Sequence, residues 1–149
     1  MKPRLDHEIP DWVRGTPTFF ITICAFNRNV NSFCESKIGP AILDSIRWRN
    51  EKRIWYCEIA VLMPDHIHLI LNFTDEILMP KAIRDWKSWL AKGYGIRWQE
   101  NYFDHRLRAE ESLVKKAEYV LLNPVRAGLV KKPQDWPYLW LPKWYTIVS

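Results

Sequence analysis

Leu62-Met63-Pro64-Asp65-His66-Ile67-His68-Leu69-Ile70-Leu71 decides how this chain is read. Beyond Pro64 and Asp65 the run is apolar except for its two histidines, and it reads as a strand. Alternate side chains of a strand share a face, so His66 and His68 point the same way, roughly 6–7 Å apart along the backbone. Ile67, Leu69 and Leu71 then occupy the other face, where a core would cover them. Two imidazoles at this spacing can hold one divalent cation. Each can equally be an ordinary half-buried polar group bonded to a neighbour. The chain has only 4 histidines, and these two sit in its most apolar strand. Polarity there costs free energy unless it is satisfied, and metal ligation is one way to satisfy it. Two histidines are too few for a closed structural zinc site, and the motif alone does not choose among zinc, magnesium and manganese.

Working outward, the Met63-Pro64-Asp65 link is short enough to make the preceding run, about Ile54 to Leu62, an antiparallel neighbour of the histidine strand, about His66 to Phe73. Upstream, the stretch Thr18 to Phe26 is rich in β-branched and aromatic residues and reads as a first strand. Gly39-Pro40 opens a helix through about Lys52, with Ile42, Leu43 and Ile46 inward. Downstream, Pro80 begins a second helix on which Ala82, Trp86, Trp89 and Leu90 recur at helical spacing, and Gly93 ends it. A short strand is expected between Gly95 and Arg108, and a third helix from about Ala109 to Leu122. The order β-α-β-β-α-β-α predicts an α+β fold, a ferredoxin-like or RNA-recognition-like sandwich with an antiparallel sheet and helices packed on one face. Residues 1–149 are expected to form a single domain, with 1–16 as an N-terminal arm.

Composition narrows the function. Hydrophobic residues make up 48% of the chain, which describes a folded protein, and the net charge of +5 favours a polyanionic partner. The load of 9 tryptophans is high. Those beside cations, in Arg47-Trp48-Arg49, Arg84-Asp85-Trp86-Lys87 and Arg97-Trp98, can either pack the core or stack on bases. Cys24, Cys34 and Cys57 are odd in number and lack metal-binding spacing, which fits a reducing compartment. With no apolar signal core at the start and no membrane-spanning run, the expected location is cytoplasmic, with no membrane partner.

Residues 109–123 on a helical wheel supply the second clue. Leu113, Ala117, Val120 and Leu121 cluster on a core-facing side, while Tyr119 lies nearly opposite, beside Ser112, Lys115, Lys116 and Asn123. Tyr119 is either a surface tyrosine lying over lysine stems or a nucleophile with cations for a phosphate around it. Asn123, one turn on, can reach the same site or serve as the cap of a new helix before Pro124. Spacing alone does not choose.

Together these elements resemble the IS200-like single-tyrosine (Y1) transposases of the HUH endonuclease superfamily, and most of all their REP-associated branch. The resemblance rests on Phe20-Ile21-Thr22, on Met63-Pro64-Asp65-His66-Ile67-His68-Leu69, on Phe103-Asp104-His105-Arg106-Leu107-Arg108, and on Tyr119-Val120-Leu121-Leu122-Asn123-Pro124-Val125-Arg126-Ala127-Gly128-Leu129-Val130. It implies a metal-dependent single-stranded DNA endonuclease and strand transferase acting at hairpin-associated or repetitive sites. His66 and His68 would bind Mg2+ or Mn2+ with Asn123 as third ligand, and Tyr119 would attack a DNA phosphate to form a 5′-phosphotyrosine. Lys115, Lys116 and Arg126 would contact the DNA. Because a free phenol has a pKa near 10, such a nucleophile needs help at neutral pH. His105 is assigned a positioning or packing role, and Glu58 a surface or outer place. The working unit is expected to be a monomer or a homodimer. Two other readings stand beside this one. The first is a non-catalytic nucleic-acid-binding protein using an RNA-recognition-like sheet. The second is an initiator or relaxase-type HUH nuclease, for which the chain is short. The tail after Asp135-Trp136-Pro137 departs from the resemblance, being apolar where serines are expected.

Overall fold

The computed structural model describes residues 9–142, and the first half of the expected arm, 1–8, lies outside the described residues. Five strands form one antiparallel sheet in the order β4-β1-β3-β2-β5. They are β1 (Thr18–Cys24), β2 (Tyr56–Leu62), β3 (His66–Asn72), β4 (Phe103–Leu107) and β5 (Leu139–Trp140). The helices are α1 (Ile38–Glu51), α2 (Met79–Tyr94), α3 (Glu110–Leu121) and a single turn, α4 (Asn123–Arg126). The α+β antiparallel sandwich anticipated from the element order is the observed class.

One part of that expectation is corrected: the helices do not all pack on one face. The strands alternate so strictly that the sheet has two apolar faces. Phe19, Ile21, Ile23, Ile67, Leu69 and Leu71 form one core with Ile42 and Ile46 of α1 and Ile83, Trp86 and Leu90 of α2. Phe20, Ile59, Val61 and Ile70 form a second core with Leu113, Ala117, Val120 and Leu121 of α3. The third helix therefore covers the face that carries the histidines. Strands buried on both sides need two apolar layers, and β2 is buried along all its 7 residues.

Buried indoles find partners where α1 meets α2. Trp86 donates Nε1–H to Ser45 Oγ at 2.8 Å, and Trp55 donates to the Ile46 carbonyl at 3.3 Å. The second helix runs past Gly93 to Tyr94 and ends at Gly95, whose φ of 69° gives the left-handed cap that only glycine adopts cheaply. The described half of the arm is docked, with Ile9 and Val13 buried against Tyr56.

The apolar tail has a structural reason. Leu139 and Trp140 form β5, added to β2 through Ala60↔Trp140 and Val61↔Leu139. Alternation then sends Tyr138 and Trp140 to the α1/α2 core, and Leu139 and Leu141 to the α3 core. Trp136 also donates to the Leu62 carbonyl at 3.0 Å. Tyr138 lies directly over Gly39, where a Cβ would meet its ring. Gly39→Ala is expected to push that ring off α1 and cost about 1–3 kcal/mol by overpacking. A lowered urea midpoint and faster protease cleavage within 133–142 would show it, and an unchanged midpoint would reject the contact.

Candidate active site

The register of β1 on β3 builds the site. Thr22 pairs with His68 and Cys24 with His66, so the two rings and Thr22 project from the same face of adjacent strands. The imidazoles meet edge to face with centroids 4.8 Å apart. Each ring commits its Nδ1: His66 to Asp65 Oδ1 at 2.8 Å, and His68 to Thr22 Oγ1 at 2.9 Å. Phe20 stacks on His68 at 5.5 Å, closing one side of the ring.

Asp65 is the hub behind His66. Its other oxygen accepts from Arg28 Nε at 2.9 Å and from the Asn29 N–H at 2.8 Å. Burial alone would raise this carboxyl, but the Asn29 N–H, His66 and Arg28 together hold it well below the usual carboxylate range. Ionised, Asp65 only accepts, so His66 Nδ1 is the donor and Nε2 is left outside that contact. That is the arrangement by which a carboxylate orients a metal-binding histidine.

His68 is pushed down to about 3 by burial, with His66, Arg126 and Lys116 adding like-charge repulsion. It is neutral at pH 7. The unfolded chain binds a proton at His68 below the ordinary value of 6.5, and the folded chain refuses it down to about 3. More protons bind the unfolded state in that window, so stability rises with pH through it and falls as acid is added. The melting temperature of the metal-free protein is expected to drop from pH 7 to pH 4, with a shallower slope in His68→Gln. Equal slopes in the two proteins would contradict the burial of a neutral ring.

Tyr119 emerges from the outer side of α3, over half exposed at 53%. It sits between two cations: the Arg126 guanidinium carbon 4.0 Å and the Lys116 Nζ 5.3 Å from its ring centre. The same Lys116 Nζ lies 4.7 Å from the centre of Phe20, the ring stacked on His68. One ammonium thus spans the gap between the tyrosine and the histidine side within a single chain. Arg126 also donates to the Tyr119 carbonyl at 2.6 Å and to Asn123 Oδ1 at 3.3 Å.

Of the expected site residues, His66, His68, Tyr119, Lys116 and Arg126 converge. Lys115 points elsewhere, paired with Glu111 along the helix at 3.0 Å. Asn123 opens α4, and its side chain takes Arg126 instead of capping the backbone. His105 is exposed on edge strand β4 opposite Phe20, so it does not pack. Glu58 is buried at the irregularity between Cys57 and Ile59, not at the surface. Asp65, Thr22, Phe20 and Arg28 were missed as site residues. Asp65 could have been found from its place before His66, but the others depend on strand register and loop closure.

The donor set fits a divalent cation on its chemistry. His66 donates Nδ1–H to Asp65 and leaves Nε2 for a cation, His68 is a neutral ring with a nitrogen to offer, and the Asn123 carbonyl oxygen has a second lone pair beyond the one Arg126 uses. Among the described residues no cluster of three or more His, Cys, Asp or Glu side chains forms an alternative metal centre. No helix among them is long and apolar enough to cross a membrane.

Comparison with known proteins accords with this geometry. No family profile matches the chain. It is 30% identical to a putative REP-associated tyrosine transposase of Haemophilus influenzae, over 52% of this chain and 53% of that protein. It is 27% identical to the REP-associated tyrosine transposase of Escherichia coli, over 52% of this chain and 49% of that one. The chain spans about half the length of the curated relatives it matches. A solved REP-associated tyrosine transposase bound to a REP hairpin shares the fold, with a TM-score of 0.65 at 23% identity over 83% of this chain and 76% of that chain.

Proposed function

We propose that this chain, similar in sequence and fold to the REP-associated tyrosine transposases, is a single-stranded DNA endonuclease and strand transferase. Its substrate is a strand carrying a hairpin or a repeated element. The observation that carries this reading is Lys116, whose ammonium lies against both Tyr119 and the Phe20 ring stacked on His68. Tyr119 and the imidazole pair are thereby joined by one ammonium that can attract a phosphate.

In this reading Lys116 and Arg126 draw the scissile phosphate to the Tyr119 hydroxyl and offset its growing negative charge. The phenolic oxygen gives up its proton to solvent and bonds to phosphorus as the bond to the 3′ oxygen breaks, and that oxygen takes a proton from solvent, giving a 5′-phosphotyrosine and a 3′-hydroxyl. The product keeps a phosphodiester, so a second 3′ end can reverse the step without ATP. Arg126 fixes the end of the tyrosine helix through the Tyr119 carbonyl and Asn123. His66 and His68, with Asn123, would hold Mg2+ or Mn2+, which when bound supplies Lewis-acid polarisation of the phosphoryl oxygen. The contacts linking Tyr119 to the histidines lie within one chain, which supports a monomeric site. Free Cys24, Cys34 and Cys57 accord with a reducing, cytoplasmic setting.

The competing reading, a non-catalytic RNA-recognition-like binder, needs adjacent aromatics on an open sheet face. Here α3 covers Phe20, Ile59, Val61 and Ile70, leaving Phe103 as the exposed aromatic of that face among the described strands. The deciding experiment incubates the protein with a hairpin-bearing single strand and Mg2+ or Mn2+. A covalent adduct that survives denaturing electrophoresis is expected, and its persistent absence across such strands would reject the enzyme.

A further inference from the structure

The tryptophans flanked by cations in the sequence separate into two groups. Trp86 is fully buried, and Trp98 packs on Phe33 and Trp86. Trp48 and Trp89 are instead 47% exposed each, on the outer surface of α1 and α2. That surface lies on the opposite side of the sheet from Tyr119, and the chemistry above gives it no role.

These two indoles begin a continuous strip. Lys52 Nζ lies 5.7 Å from the Trp48 ring, and the Arg49 guanidinium carbon lies 5.5 Å from both the Trp48 and the Trp89 ring. Trp89 contacts Tyr94 at 5.8 Å. Trp48, Arg49, Trp89 and Tyr94 line a cleft of about 330 Å³, and Tyr94 also lines the adjoining hollow with Arg97. The Arg97 guanidinium carbon then sits 4.3 Å from the ring centre of Phe26, which is 52% exposed. Two residues on, Arg28 binds the Asp65 carboxylate that holds His66.

Four large aromatic rings left half in water, each touching a guanidinium, an ammonium or another of the four, share one surface, where Asp44 is the acidic residue lining the Trp48 cleft. An apolar peptide would leave the buried Arg49 charge facing hydrocarbon. Paired bases would hide the π-faces that the indoles can stack on. Unpaired bases offer those faces, and their phosphates match the interleaved cations. We propose that the strip from Trp48 through Trp89 and Tyr94 to Phe26 is a stacking track for unpaired nucleic acid, leading a single strand round the sheet to the His66 end of the candidate site. Only its destination rests on the proposed active site; the binding itself does not.

The test is a fluorescence-anisotropy titration of an oligothymidylate of about 12 nucleotides in EDTA, where no cleavage competes. Trp48→Ala/Trp89→Ala is expected to bind at least about tenfold more weakly than the unaltered protein, and the Phe/Phe pair to recover most of the loss. An abasic strand of equal length should bind the unaltered protein as weakly as the thymidylate binds the Ala/Ala protein. Equal affinity of the Ala/Ala and unaltered proteins for thymidylate would overturn the track. So would an abasic strand binding as tightly as thymidylate, or a dimer that the Ala/Ala change dissociates while strand binding is unaltered. Base-dependent binding without any covalent adduct to hairpin strands would count against the active-site reading alone, and the reverse pattern against the track alone.

Discussion

Tyr119→Phe is expected to abolish the covalent protein–DNA adduct altogether while changing DNA affinity by no more than about twofold. The substitution removes one oxygen and keeps the ring, so the Arg126 and Lys116 contacts to the π-face persist. In the proposed mechanism those cations supply the phosphate attraction, so binding should survive. The hydroxyl belongs to a side chain 53% exposed, so its loss costs the fold less than about 0.5 kcal/mol. Adduct formation and affinity should therefore separate cleanly. The measurement is denaturing electrophoresis of a 5′-labelled and a 3′-labelled hairpin strand beside an anisotropy titration. An adduct that survives the change would remove Tyr119 from its role, and a parallel collapse of affinity would make it a binding residue only.

Removing the imidazoles should cost nearly as much. His66→Ala and His68→Ala are each expected to lower the cleavage rate on the order of 10²–10³-fold, as losses of groups that stabilise transition-state charge do. Treating the intact protein with EDTA should produce the same loss, and added Mg2+ or Mn2+ should restore it only when both rings are present. The two histidines will differ in their structural side effects. His66 leans on a carboxylate anchored by Arg28 and Asn29, so its removal leaves Asp65 two of its partners. His68 is half-buried between Phe20 and Thr22 beside the second core, so its removal strips both of a packing partner and should also lower stability. Full activity in EDTA would defeat the metal assignment whatever the histidine variants do.

Much of this architecture was legible from residue order because strand and helix periods are local. The alternation Ile67, Leu69, Leu71 against His66 and His68 is visible in a single decapeptide, and the short Pro64-Asp65 link forces its antiparallel partner. The inner stripe of α3, Leu113, Ala117, Val120 and Leu121, was likewise read from helical spacing and is buried as expected. The misplaced end of α2 has a local cause too: Gly93 and Gly95 both signal termination, and only Gly95 takes a left-handed φ.

Other features had no local signal. Which face α3 covers depends on how the chain returns after β4, and that return placed it over the histidines. The apolar tail carries no local sign of β5, because a strand that alternates between two cores has no polar side to betray it. Thr22 became a partner of His68 through a register spanning 46 residues. Residue identity alone therefore determined which groups are candidates for chemistry, namely paired imidazoles, a phenol and flanking cations, since these are properties of the side chains and their spacing on one element. Tertiary structure alone decided their company: Thr22 on His68, Lys116 against Phe20, and Arg28 behind Asp65. Those contacts join segments distant in the chain, and only burial of both sheet faces selects the packing that brings them together.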